Sequence, residues 1–167
     1  QGDPIAGYLE MYTTTNAGNN WIPVPTSDMP PTLTDEYAIN TAVEAFGDII
    51  LIPVSKWNTN QFRIFKSTDR GFNWSISAQF TLSVPTGFLG PTSLAFKNQF
   101  EGILIASDFY CSGTVNSNYK ILKTIDGGNT WKKVLYVNPS SGAVDLCIDP
   151  TNPRIIYATT WNVRRTP

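Results

Sequence analysis

Two aspartates recur in one setting. Asp69 in Ser67-Thr68-Asp69-Arg70-Gly71-Phe72-Asn73-Trp74 and Asp126 in Thr124-Ile125-Asp126-Gly127-Gly128-Asn129-Thr130-Trp131 each stand two places after a hydroxyl, two before a glycine and five before a tryptophan. Such carboxylates could serve as general acids or as ligands for a hard cation. A calcium cage takes six to eight oxygens, however, and one carboxylate per site is too few to build it. Closing a turn accounts for the same pattern: the Asp and the hydroxyl both accept backbone N–H groups of the residues that follow. A third segment, Thr14-Thr15-Asn16-Ala17-Gly18-Asn19-Asn20-Trp21, has Asn16 in place of the acid and can form the turn without charge. Gly18, Gly71 and Gly128 fit a place that needs positive φ. Trp21, Trp74 and Trp131 supply apolar bodies to pack on neighbouring strands. These twelve residues (Thr14, Asn16, Gly18, Trp21, Ser67, Asp69, Gly71, Trp74, Thr124, Asp126, Gly128 and Trp131) are read as structural, with no metal and no cofactor implied.

Other chemistry is limited by what the chain contains. It has no histidine, which removes Ser-His-Asp and Cys-His catalysis. Glu44, Asp48, Asp108 and Asp145 are the acids at inner or loop positions that a two-carboxylate hydrolase could use, yet none has a recognisable catalytic context. Cys111 and Cys147 lack metal-type spacing and read as buried free thiols. Asn73-Trp74-Ser75 is a formal glycosylation sequon that falls inside the turn, and it reads as chance.

The turn segments start 53 and 57 residues apart and sit on a longer repeat. Upstream of each is one short strand: Leu9-Glu10-Met11-Tyr12-Thr13, Phe62-Arg63-Ile64-Phe65-Lys66 and Tyr119-Lys120-Ile121-Leu122-Lys123. Two further strand-like runs precede it, Thr41 to Phe46 then Ile49 to Val54, and Thr92 to Phe96 then Ile103 to Ala106. A brief fourth run follows the tryptophan, Ser75-Ile76-Ser77 and Lys132-Lys133-Val134-Leu135. Four strands per repeat, broken by Gly, Pro and Asn, define an all-β chain and suit the antiparallel blade of a β-propeller. The expected layout is a half-blade at 1–25, blades at 37–80 and 91–136, and a half-blade at 143–167. That makes about three blades, fewer than the four to eight a propeller closes with. The chain is therefore expected to be part of a longer propeller, or to be completed by another copy.

The turns resemble the Asp boxes, or BNR repeats, of sialidases, sortilin-type receptors, xyloglucan-degrading glucanases and photosystem assembly factors. The resemblance covers most of the chain and speaks to fold more than to activity, because one blade type serves enzymes, receptors and scaffolds. Glu36-Tyr37-Ala38-Ile39-Asn40 and Phe65-Lys66-Ser67-Thr68-Asp69-Arg70-Gly71 are also similar to Asp-box proteins exported by the bacterial type IX secretion system. That resemblance implies an extracellular or cell-surface location. The arginines of a sialidase are not evident: Phe62-Arg63-Ile64-Phe65 has Phe65 where that family's Arg-Ile-Pro segment has proline.

In such a blade the loop between strands two and three emerges with the blade-to-blade link, opposite the turns. Trp57, then Phe109 and Tyr110, then Trp161 follow the second strand of successive repeats, and Phe88 lies in a link. Aromatic faces beside Asn and Ser suit a sugar or a protein partner, and Arg164 and Arg165 could hold a carboxylate. The expected function is a binding module for glycans or proteins, non-catalytic in this segment. A glycoside hydrolase with acids partly outside the sequence, or an assembly factor, are the alternatives. Twelve Lys and Arg against thirteen Asp and Glu, with no basic block, give no preparation for nucleic acid. No apolar run or leader segment suggests membrane insertion.

Overall fold

The computed structural model describes residues 7–82, 89–108, 120–135, 142–148, 151–152 and 155–161. All strand pairing among them is antiparallel, and it falls into separate sheets. The first is a ribbon of β1 (Tyr12–Thr13) and β2 (Ile22–Pro23). A five-stranded sheet follows, built from β3 (Glu36–Ala38), β4 (Glu44–Phe46), β5 (Ile49–Lys56), β6 (Gln61–Ser67) and β7 (Ser75–Thr81). Next comes a four-stranded meander of β8 (Leu89–Phe96), β9 (Gly102–Asp108), β10 (Lys120–Thr124) and β11 (Lys132–Leu135). The last is a pair, β12 (Gly142–Ile148) and β13 (Ile156–Trp161).

Repetition extends to the irregularities. The register slips between Ile64 and Phe65 where β6 meets β7, and between Ile121 and Leu122 where β10 meets β11, which are matching places in the repeat. A second slip recurs between Pro91 and Ser93 on β8 and between Ala143 and Asp145 on β12. Each adds a residue to one strand and raises the local twist.

One expected strand is broken. The run Thr41 to Phe46 opens with a 3-10 turn over Asn40–Ala42, and only Glu44–Phe46 is extended. Pro53, in the middle of β5, supplies the reason. Its carbonyl accepts Ile39 N–H at 2.8 Å, so the side on which proline lacks a donor faces this flank. The flank is therefore shared by two short strands, β3 against Val54 to Lys56 and β4 against Ile49 to Leu51. At the other edge β7 runs to Thr81, well beyond the three residues read from sequence.

Alternation along β6 sends its side chains into two cores. Phe62 and Ile64 join Leu51, Leu94, Leu104, Ala106 and Leu122 between the five- and four-stranded sheets. Phe65, one residue out of phase, packs with Leu9 and Val54 on the opposite face. A central strand buried on both faces explains why Phe62-Arg63-Ile64-Phe65 reads as nearly unbroken apolar sequence. Among the described residues no helix is long and apolar enough to cross a membrane.

Candidate functional site

The three turns form as their residue types dictate. Ser67 Oγ accepts the N–H of Gly71 at 2.8 Å, and Asp69 Oδ1 accepts that of Asn73 at 2.9 Å. Thr124 Oγ1 accepts Gly128 N–H at 2.9 Å, and Asp126 Oδ1 accepts Thr130 N–H at 2.8 Å. The neutral version is the same: Thr14 Oγ1 takes Gly18 N–H at 3.0 Å and Asn16 Oδ1 takes Asn20 N–H at 2.9 Å. All three glycines have positive φ, 85°, 90° and 86°, and so do the residues before them, Ala17, Arg70 and Gly127, at 55°, 64° and 69°. Two successive left-handed residues therefore make each bend. The indole N–H groups of Trp74 and Trp131 donate back to the carbonyls of Gly71 and Gly128 at 2.9 and 3.0 Å.

Every oxygen of this kind points at its own turn, which leaves little for chemistry. Backbone and side-chain donation from Asn73 holds the Asp69 carboxyl down at about 2, and the Thr130 hydroxyl and N–H do the same for Asp126. A depressed carboxylate stabilises the fold above its ordinary value of 3.8 and loses that contribution as pH falls through about 2. The thermal midpoint should therefore drop between pH 4 and pH 2. In Asp69→Asn/Asp126→Asn, whose turns copy that of Asn16, the drop should flatten; an acid limb as steep as the parent's would rule these carboxylates out as its source.

Other acids and the candidate arginine are also engaged. Glu44 Oε1 accepts Phe96 N–H at 3.1 Å, and Asp48 pairs with the exposed guanidinium of Arg70 at the turn end. Arg63 is buried, with Nε donating to Glu36 Oε1 at 2.7 Å and Nη2 donating both to Glu36 Oε2 and, at 2.9 Å, to the Pro31 carbonyl. Its guanidinium lies 5.0 Å from the centre of the Phe65 ring. This is a cation locked inside the fold rather than one offered to a ligand. Asp108 ends β9 and Asp145 lies on β12; their side chains are outside the described residues. Among the described residues no three His, Cys, Asp or Glu side chains converge on a point that could hold a metal ion.

At the end of the sheets opposite the turns, Trp57 stands in the tight turn between β5 and β6 and is 51% exposed. Its position is fixed by Trp57 N–H donating to the Asp35 carbonyl at 2.8 Å and by edge-on contact with Tyr37, ring centres 5.9 Å apart. Leu82 N–H, just past β7, donates to the Asn60 carbonyl of the same turn at 3.0 Å, so the outgoing link shares this end. Leu82 also borders a hollow of about 190 Å³ with Lys120, Leu122 and Lys133. Burial lowers the Lys120 ammonium below its usual range, and the charge of Lys133 lowers it further. Sequence reasoning missed this pair, because lysines at alternate strand positions look like ordinary solvated residues until two strands bring them together.

The remaining aromatic positions do not form an observed set. Trp161 is the last residue of β13, opposite Gly142, and not in the loop after it as the sequence suggested. The strand runs longer than the Arg154 to Ala158 segment because pairing with β12 carries it on. Phe88, Phe109, Tyr110, Arg164, Arg165 and Cys111 lie outside the described residues, as does the side chain of Cys147 on β12. Trp21 departs from its counterparts: it is 61% exposed, whereas Trp131 is half-buried against Phe80 and Phe96.

The fold and site define a class, an all-β chain of repeated antiparallel sheets in which hydroxyl-Asx-Gly-Trp turns join neighbouring strands. No protein-family model, curated protein or solved structure matches this chain.

Proposed function

We propose that this chain is an Asp-box β-propeller segment, secreted or displayed at a cell surface, that binds glycans or a protein partner through the end opposite its turns. The observation that carries the reading is Trp57, a large aromatic half in solvent yet held in one orientation by Tyr37 and by its own backbone. An indole fixed before binding loses little entropy on contact and suits the apolar face of a sugar or an anchor pocket. The Lys120 and Lys133 ammoniums, beside a hollow that Leu82 also borders, favour a ligand that carries a carboxylate. Propeller architecture is supported by sheets that repeat in order, turn and bulge position. A binding role is favoured over glycoside hydrolysis because Glu44 and Asp48 are each committed to a structural partner.

Retention on a glycan array tests this. Trp57→Ala should weaken retention of the best parent ligand by about 30-fold, the value of a ~2 kcal/mol hot spot. Phe100→Ala, which removes an exposed aromatic from the turn end, should leave retention unchanged. Equal retention by Trp57→Ala and the parent would dispose of the aromatic-face reading.

A further inference from the structure

Strand pairing brings two lysines over an apolar floor. Lys120 and Leu122, two places apart on β10, share one side of that strand, and Leu122 faces Lys133 of β11. Leu122 is buried in the core between the five- and four-stranded sheets, and Leu82, just past β7, packs against the same core. Long side chains reach diagonal neighbours across a strand pair, which is how both lysines come to border one space. With Leu82 and Leu122 they line a hollow of about 190 Å³, room for roughly six waters.

Other lysines are differently placed. Lys66 Nζ is committed to the Gly127 carbonyl at 2.8 Å, and the charge of Asp126 favours its ammonium. Lys97 pairs with Glu101 at 3.7 Å, while Lys123 and Lys132 stand exposed. Lys133, by contrast, lies within hydrogen-bonding reach of Lys120. An ammonium has three donors and no acceptor, so a hydrogen bond between the two requires one nitrogen to be an uncharged amine. Lys133 is exposed and holds its proton in water, whereas Lys120 is half-buried. Burial and the Lys133 charge both lower the Lys120 ammonium, and among the described residues no carboxylate opposes them. A desolvated lysine beside a second cation is an activated nucleophile.

We propose that Lys120 captures small anionic aldehydes as an imine in this hollow, with Lys133 as the proton donor. The Lys120 nitrogen adds its lone pair to the carbonyl carbon, and the Lys133 ammonium gives a proton to the oxygen. The nitrogen of the resulting carbinolamine, now positively charged, returns a proton to Lys133. Lys133 then protonates the hydroxyl, which leaves as water while the nitrogen lone pair forms the C=N bond. The N–H proton of that iminium passes back to Lys133, so amine and aldehyde become imine and water with no oxidant or reductant. The size of the hollow suits a short aldehyde, and the Lys133 charge suits one that carries an anionic group.

Glyoxylate with cyanoborohydride, which reduces the imine to a stable secondary amine, reads the site by peptide mass spectrometry. Lys120 should be labelled about tenfold faster than exposed Lys123 of the same strand, and Lys133→Met should remove that advantage while the Lys123 rate stays the same. Lys123 thus serves as a reference within each sample for a chain that is still folded. Propionaldehyde, similar in size but uncharged, should show a smaller preference for Lys120. Labelling of Lys120 no faster than Lys123, a preference that survives Lys133→Met, or an equal preference with propionaldehyde would overturn the proposal. Glycan retention enters none of these measurements, so the binding role of Trp57 and the capture by Lys120 stand or fall separately.

Discussion

Replacing Gly128 by alanine is expected to lower stability by about 2–4 kcal/mol, which for a chain of this size is a fall of roughly 5–15 °C in the thermal midpoint. Two effects add. A Cβ at φ +86° costs ~1 kcal/mol in backbone strain. The same atom would stand 2.7 Å from Leu51 Cδ2, and Leu51 is fully buried in the core between the two larger sheets. A packed leucine cannot swing aside freely, so overpacking adds ~1–3 kcal/mol. Gly47→Ala separates the terms, because its φ is +62° but nothing lies within 4 Å of an added Cβ. It should cost about 1 kcal/mol. Gly71→Ala should fall between them, since its added Cβ would make ordinary contacts at 3.4–3.5 Å with Ile50, Thr13 and Trp74. Urea denaturation of the three variants checks the order. If Gly128→Ala were no worse than Gly47→Ala, the turn would not be packed on Leu51 in solution.

The second large effect is expected at Arg63 and Glu36. Their side chains are 6% and 2% exposed, and each carries hydrogen bonds beyond the ion pair. Glu36 Oε2 also accepts the N–H of Leu33 at 2.7 Å, so the pair ties the segment entering β3 to the centre of β6. Glu36→Ala leaves a guanidinium buried without its counter-charge and should cost about 3–5 kcal/mol. Arg63→Met/Glu36→Leu removes both charges while filling similar volume, and should cost much less than the sum of the single changes. A double-mutant cycle by urea denaturation reads the coupling. If both single variants lost under 1 kcal/mol, the pair would be solvated rather than buried.

These two sites also mark how far the sequence could be read. The turn chemistry was legible because every bond in it is local: Ser67 to Gly71 and Asp69 to Asn73 each span four residues. Strand runs at β6, β10 and β11 were legible for the same reason, through residue type and the turn beside them. The break between β3 and β4 was written in Pro53, but its effect falls on residues paired across the sheet, where no run of sequence displays it. Of the loop-end site, Trp57 could be named from its place after a strand. The lysine pair could not, since Lys120 and Lys133 become neighbours only when β10 and β11 pair.

By itself, then, the sequence determined an all-β chain, its repeat, and three turns closed by their own hydroxyl, Asx, glycine and tryptophan residues. Tertiary structure decided what those units do to one another. Arg63 looks like a surface cation until Glu36, 27 residues away, is folded beside it, and Lys66 finds the Gly127 carbonyl only across 61 residues. Trp21 and Trp131 occupy the same motif, yet one is exposed and the other is covered by Phe80 and Phe96. The physical reason is range: a hydrogen bond to the next turn of chain is specified by residue type, whereas burial depends on which sheet packs against which.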